Sequence, residues 1–313
     1  MSSRCRDAFA LLLLALAAAG GAARAAEARA VVRVCADPDY LPYSRADGSG
    51  FENRIAEVVA DELHVRLEYA WQPLGRGFVR KTVGANLCDV LIGVPAGFER
   101  VLTTRPYYRS GYVFVQRADA PDPVVSFEDP RLASLRIGVQ LIGNDLAATP
   151  PGHALARHGA VDRVVGYPVF GDVPSAQRAI ADLAAGQLDA AVLWGPQAGW
   201  FAARSPVPLR VVEAHAPPDL SMPFEFAIAM GVKKGDEALR QALDAAIERR
   251  RADIVAILDA YRVPRRPLDD RAAAGHGVSD AGASEHASAG QALKASVKNL
   301  PHAPMGFYAW KKS

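Results

Sequence analysis

Asp37, Tyr40 and Tyr43 are the first residues of the chain whose types and spacing could do chemistry. They fall in VRVCADPDYLPYS, where an apolar run from Val31 to Asp37 ends in an acid, prolines and tyrosines. An acid and aromatic rings at a strand end are the material of a binding lip, because open α/β sheets bind ligands at their strand ends. Tyr40 and Tyr43 read equally as cleft wall or as packing, and Asp37 either lines the cleft or caps the next turn. Arg76 and Arg80, in RGFVR, either face the same opening or solvate a helix surface. Arg100, in GVPAGFER, is either a ligand arginine or the partner of a nearby acid, since a cation gains nothing at a helix start. Trp194 either fills the space a ligand would need or stacks on an apolar one, and Trp71 reads as strand packing. No Ser/His/Asp or Cys/His constellation is visible, and no Cys/His spacing suits zinc. His153 and His158 lack partner spacing and read as surface residues. The chemistry on offer is binding, without a catalytic group.

The elements that must position these residues alternate between strand and helix. Val31–Asp37 reads as a strand. Ile55, Val58, Val59 and Leu63 recur at helical spacing, Arg66–Gln72 alternates as a strand, and Phe78, Val79, Thr82 and Val83 mark a helix face. Asp89–Val94 is a buried strand. This βαβαβ order implies a parallel sheet with right-handed crossovers. Tyr112–Arg117 is a further strand, and the proline- and acid-rich stretch 118–130 reads as a crossing between lobes. A second α/β stretch follows, with strands at Arg136–Gln140, Ala190–Trp194 and Leu209–Glu213 and a helix carrying Ala176, Ile180 and Leu183. Pro217-Pro218 reads as the return crossing, followed by strand Glu225–Val232 and two amphipathic helices.

With 313 residues, half of them hydrophobic, the chain can build two lobes of ordinary size. Its 36 basic and 34 acidic side chains nearly cancel, and no basic stripe suggests nucleic acid. Residues 1–28 read as a signal peptide: Arg4 and Arg6, then the apolar run 8–19, then small residues suited to cleavage. That run is too short to span a bilayer. The mature protein is therefore expected in the periplasm without a membrane span. Cys5 leaves with the signal peptide. Cys35 and Cys88 remain, and export invites a disulfide. If their strands are parallel neighbours, however, they stand out of step by roughly 10 Å at 3.3 Å per residue. Two buried thiols is therefore the favoured reading, with the bridge as its alternative. Residues 264–313 carry few large apolar groups and read as a flexible extension. Its end, with Phe307, Tyr308 and Trp310, either packs loosely or offers a sticky segment to a partner.

Taken in order, VRVCADPDYLPYS, GFENRIAEVVADEL, CDVLIGVPAGFERVLTTRPYYRSGYVFV, RIGVQL, LAAGQLDAAVLWGP and EFAIAMGVKKGDEALRQALDAAI resemble the type II, amino-acid-binding class of periplasmic solute-binding proteins. The resemblance covers about residues 31–263. It implies two α/β lobes around a cleft: 31–117 plus 222–263 as the first, 118–221 as the second. It also implies a ligand site. In that class an arginine pairs the ligand carboxylate, helix N-termini add N–H groups and acids neutralise the ammonium. Here Asp37, Gly93 and Arg100 match. Pro95 and Gly97 stand where threonines are usual, LIGNDL with Asn144 follows Gln140 in place of a Ser/Gly/Thr turn, and Trp194 takes the place of the second acid. A closed cleft without those groups would leave an ammonium unpaired, at a high cost.

A narrower resemblance joins CADPDYLPYS, GFENRIAE, RGFVRKT, CDVLIGVPAGFE, TTRPYYRS and YVFV to the J-type accessory proteins of methanol oxidation systems. It implies a non-enzymatic periplasmic protein that binds, matures or activates a PQQ-dependent methanol or alcohol dehydrogenase. It implies no cofactor of its own, quinone and metal belonging to the partner; a small ligand or peptide in the cleft stays open. The competing readings are a transport receptor for a small organic solute and, last, a dehydratase of the same fold. That enzyme would need a general acid and donors for two carboxylates, which the missing hydroxyl residues do not supply.

Overall fold

The computed structural model describes residues 30–142, 147–169, 171 and 173–268. The expected signal peptide, Asn144 and the aromatic C-terminal end lie outside these residues. The chain opens with β1 (Val31–Ala36), a small hairpin of β2 (Asp39–Tyr40) and β3 (Ser44–Arg45), helix α1 (Phe51–Glu62) and β4 (Arg66–Trp71). It continues through the single helical turn α2 (Phe78–Lys81), β5 (Val90–Pro95), β6 (Leu102–Thr103) and the long β7 (Tyr108–Arg117). The second stretch holds β8 (Ile137–Ile142), β9 (Ala147–Ala148), α3 (Pro150–Arg157), β10 (Val164–Pro168), α4 (Ser175–Ala184), β11 (Ala190–Trp194), α5 (Gly195–Ala202) and β12 (Leu209–Glu213). Strand β13 (Glu225–Val232) and helices α6 (Glu237–Arg249) and α7 (Arg251–Ala260) complete it.

One continuous path orders the main strands as β10-β8-β11-β7-β13-β5-β1-β4. The βαβ units pair in parallel as their order requires, β1 with β4 and β5, and β8 with β10 and β11. The path is two lobes joined by β7 and β13. Tyr108–Gly111 of β7 pair with β13, whereas Tyr112–Arg117 pair with β11 and β12. Strand β7 thus runs from one half of the path into the other, its second half lying beside β11 and β12. An apolar run such as YVFVQR cannot reveal which neighbours will claim it.

Each lobe opens on the same device. Arg33 near the start of β1 grips Asp89, which precedes β5, through its backbone N–H (2.9 Å) and its guanidinium Nε and Nη2 (3.2 and 3.0 Å). Arg136 before β8 grips Asp189 before β11 in the same way (2.8, 3.1 and 2.6 Å). The fork of the guanidinium matches the carboxylate's two oxygens. Its hydrogen bond holds the Asp189 carboxyl below the usual carboxylate range. The motifs CDVLIGV and LDAAVLW thus carry an acid just before the strand for a register reason, since the clamp aligns two parallel strands near their starts.

The structure corrects the expectation of two buried thiols. Cys35 and Cys88 form a disulfide, with their Cα atoms 5.4 Å apart. In register, Cys35 pairs with Leu91, three positions past Cys88, which is the offset expected from the sequence. But the chain before β5 does not run on straight. It turns through a 3-10 segment at Val83–Ala85, and Asn86 in the left-handed region (φ 59°) reverses it. Cys88 is thereby brought across the sheet face into a cluster with Phe78, Val79, Val83 and Leu91. Cys88 lies before β5 begins, so the spacing of an extended strand does not apply to it.

Candidate functional site

At the ends of β1, β8 and β11, where a cleft is expected, the chain's own side chains meet one another. Gln140, near the end of β8, is 2% exposed. Its Nε2 donates to Ser175 Oγ (2.7 Å) and to Gln197 Oε1 (2.8 Å), while its Oε1 accepts from the Trp194 backbone N–H (2.7 Å). Both polar ends of the amide are engaged, so it has little left to offer a solute. Gln197 stands in the first turn of α5 and passes the network to the other lobe, its Nε2 donating to the Tyr40 hydroxyl (3.2 Å). Tyr40 lies stacked on Tyr43 with ring centres 5.1 Å apart, and the Trp194 side chain lies near the Tyr43 hydroxyl.

Trp194 is the centre of this contact. It ends β11 and stands at the N-cap of α5, and it packs against the core clusters of both lobes. Its ring meets Tyr112 edge-on at 5.5 Å and Phe226 at 5.7 Å, one residue from each crossing strand. Aromatic pairs of this geometry contribute about 1 kcal/mol each beyond the area they bury. Burial pushes the Tyr43 hydroxyl well above its ordinary pKa, so it stays neutral in the network.

The remaining candidates fall elsewhere. Asp37 holds backbone: its Oδ1 accepts from Asp39 N (2.8 Å) and its Oδ2 from Leu74 N (2.5 Å). Pro95 ends β5 opposite Ile228. Gly97 has φ +77°, a conformation that disfavours the threonine usual at this place, and its N–H donates to Thr103 Oγ1 (3.1 Å). Arg76, Arg80 and Arg100 are exposed. The structure therefore brings Tyr40, Tyr43, Gln140 and Trp194 together and leaves the arginines out of that contact. Trp71 stacks on Tyr69 with ring centres 4.5 Å apart, within the strand packing. Among the described residues no cluster of three His, Cys, Asp or Glu side chains is placed to hold a metal.

Two features escaped the sequence. Gln197 and Ser175 lie in helix first turns that no motif marks. Glu52 also escaped, because in GFENRIAE it reads as an ordinary acid favoured by a helix N-terminus. In the structure its carboxyl lies directly over Gly93, where a Cβ would collide with it, and its charge bears on Tyr43, Tyr69, Tyr107 and Tyr108. Burial raises the Glu52 pKa well above its ordinary value. The unfolded chain releases this proton near pH ~4.3, while the folded chain keeps it. This group's contribution to stability is therefore complete below pH ~4.3 and declines as pH rises toward the folded value, by at most about 1.4 kcal/mol per pH unit. Glu52→Gln is expected to match the wild type in denaturant unfolding at pH 4 and to exceed it at pH 7.5. Unfolding midpoints that stay parallel across that range would contradict the assignment.

On the back of the crossing, the chain after α7 returns across β7. Ser110 Oγ donates to Pro264 O (2.6 Å) and Arg266 N to Arg109 O (2.9 Å). The Arg266 side chain, 8% exposed, pairs with Glu225 on β13 (3.2 Å) and with Glu213 on β12. Trp200 of α5 stacks on Tyr261 at 4.7 Å. The lobes are thus joined on both sides of the crossing strands.

The sequence pattern of the bacterial extracellular solute-binding proteins, family 3, matches residues 32–262. Protein MoxJ of Methylorubrum extorquens is 35% identical over 257 residues, covering 76% of this chain and 83% of the relative. Protein MoxJ of Paracoccus denitrificans is 33% identical over 252 residues, 75% and 89% of the two chains. The crystal structure of the periplasmic binding protein XoxJ from Methylobacterium extorquens AM1 superposes with a TM-score of 0.63 at 39% identity, covering 76% of this chain and all of that one. An ancestral cationic amino acid solute-binding protein shares the fold at 20% identity, with a TM-score of 0.58 over 74% of this chain and 96% of its own.

Proposed function

Because the chain belongs to the bacterial extracellular solute-binding proteins of family 3, we propose that it uses their fold as a periplasmic accessory protein. It binds a PQQ-dependent methanol or alcohol dehydrogenase and assists that enzyme's maturation or activation. The observation that carries this reading is the closed contact between the lips. A solute receptor presents donors and acceptors that a ligand completes. Here Gln140, Gln197, Ser175, Tyr40, Tyr43 and Trp194 complete one another. Trp194 also stands where the amino-acid-binding class carries its second acid. The similarity to MoxJ and XoxJ over three quarters of the chain supports the same reading.

The test is reconstitution. Purified mature protein, mixed with the periplasmic quinoprotein dehydrogenase of the same organism, is expected to co-elute with it or to change its activity. Loss of both effects across apo- and holo-enzyme would sink the proposal. A thermal-shift screen of amino acids and small organic acids is expected to stay flat. A receptor would gain about 2.7 kcal/mol at a ligand concentration one hundred times its dissociation constant, so one such response would favour transport.

A further inference from the structure

Most arginines on the described surface are neutralised by an acid next to them, such as Arg54 by Glu57, Arg117 by Asp119, Arg131 by Asp129 and Arg157 by Asp219. Isolated exceptions such as Arg100, Arg105 and Arg163 exist, but one stretch concentrates several of them. From Gln72 to Cys88 the chain carries Arg76, Arg80 and Lys81 and no acidic residue. All three are exposed. Lys233 joins them from the loop after β13, its Nζ donating to Asn86 Oδ1 (2.7 Å), and Lys234 follows it, also exposed. None of these five cations has an ion pair among the described residues, and the three lysines are all that those residues contain. Beside Asn86 stands Leu87, 50% exposed, the most exposed of the large apolar residues described.

This excursion is held rigidly at both ends. Asp37, the residue after β1, accepts the Leu74 N–H at its entry, and Cys35 in β1 bridges Cys88 at its exit. Phe78, Val79 and Val83 anchor its middle in the core. Few side-chain or backbone freedoms would be lost on binding, which is the condition under which a small surface yields affinity. An apolar residue beside unpaired charge also has the anatomy of an interface, in which an apolar contact is excluded from water within a polar rim.

The geometry points to the face formed by Gln72–Cys88 and Lys233–Lys234 as the docking surface for an acidic patch on a folded protein partner, with Leu87 entering an apolar notch there. This rests on the accessory reading and names the surface and the complementary charge that reading requires. Unpaired cations attract an acidic patch at long range and accelerate its association, an effect that salt screens.

The experiment compares Arg80→Glu/Lys81→Glu/Lys233→Glu with a control, Arg54→Glu/Arg117→Glu, after checking that each melts as the wild type does. Association with the purified quinoprotein dehydrogenase is measured by surface plasmon resonance from 20 to 300 mM NaCl, roughly the span over which the screening length falls severalfold. The first variant is expected to associate at least ~10-fold more slowly at low salt and to lose most of its salt dependence, and Leu87→Asp to dissociate faster; the control is expected to do neither. If the wild type binds and the first variant binds equally well, the face is wrong while the accessory reading stands. If the wild type does not bind at all, both fall. Charge-dependent retention on vesicles of phosphatidylglycerol, without binding to the enzyme, overturns the protein partner in favour of an anionic lipid surface.

Discussion

Breaking the Cys35–Cys88 bridge is expected to cost about 4 kcal/mol of stability. The bridge closes a loop spanning 53 positions, and the chain-entropy relation for a loop of that length gives this value. Against a net stability of about 5–15 kcal/mol for an ordinary domain, that is a large fraction. For a body of this size it corresponds to a fall in Tm of roughly 8–16 °C. Cys35→Ala/Cys88→Ala is the cleaner form of the experiment, because it keeps both positions small and apolar in the cluster of Phe78, Val79, Val83 and Leu91. Calorimetry of the oxidised wild type, the reduced wild type and the double variant should place the last two together, well below the first. A double variant that melts with the oxidised protein would show that the bridge constrains nothing the core does not already fix. The same variant should loosen the Gln72–Cys88 excursion selectively, read as faster amide exchange at Val83–Leu87 while β8 and β11 keep their protection.

Trp194→Ala is expected to act at the contact between the two core clusters and to be comparably severe. The indole packs against both lobe cores and meets Tyr112, Phe226 and Tyr43. Truncating a tryptophan in such a place removes about 3 kcal/mol or more. The backbone N–H of residue 194 still donates to Gln140, so the strand end itself should hold. The expected result is a lowered Tm together with an increased radius of gyration in solution scattering, because the lips lose the side chain that joins their cores. Trp194→Phe keeps most of the ring surface but not the N–H. It should restore much of the stability, since the contacts with Tyr112 and Phe226 are aromatic. Unchanged scattering by Trp194→Ala would mean that the contacts behind the crossing, Trp200 with Tyr261 and Arg266 with Glu225, hold the lobes by themselves.

Much of the scaffold was legible along the chain. The strands around DVLIGV, AVLW and EFAIAMGV are apolar runs too short to be anything else, and the amphipathic faces at Leu239–Ile247 and Ile254–Leu258 bury as their spacing requires. Short elements were not legible. The helices Pro150–Arg157 and Gly195–Ala202 and the strand Val164–Pro168 have compositions set more by their tertiary neighbours than by propensity. Of the site, the tyrosines and Trp194 were legible as candidates, because unusual side chains at strand ends announce themselves. Their mutual contacts were not, since Tyr40 and Gln197 are 157 positions apart.

By itself the sequence determined the α/β scaffold, through the period of its apolar residues, and the residue types available at the expected lip, among them Pro95, Gly97 and Trp194. Both are local properties: a period of 2 or 3.6, or a residue type, is written in consecutive letters. Only the tertiary structure decided that Asp37 holds backbone, that Gln140 is engaged by its own neighbours, that Cys35 and Cys88 are bridged, and that Lys233 reaches Asn86 in the segment carrying Arg76, Arg80 and Lys81. Each of those outcomes depends on which distant groups arrive beside a residue and satisfy it first. Hydrogen-bonding capacity and charge are finite, and the fold distributes them across separations that no local pattern records.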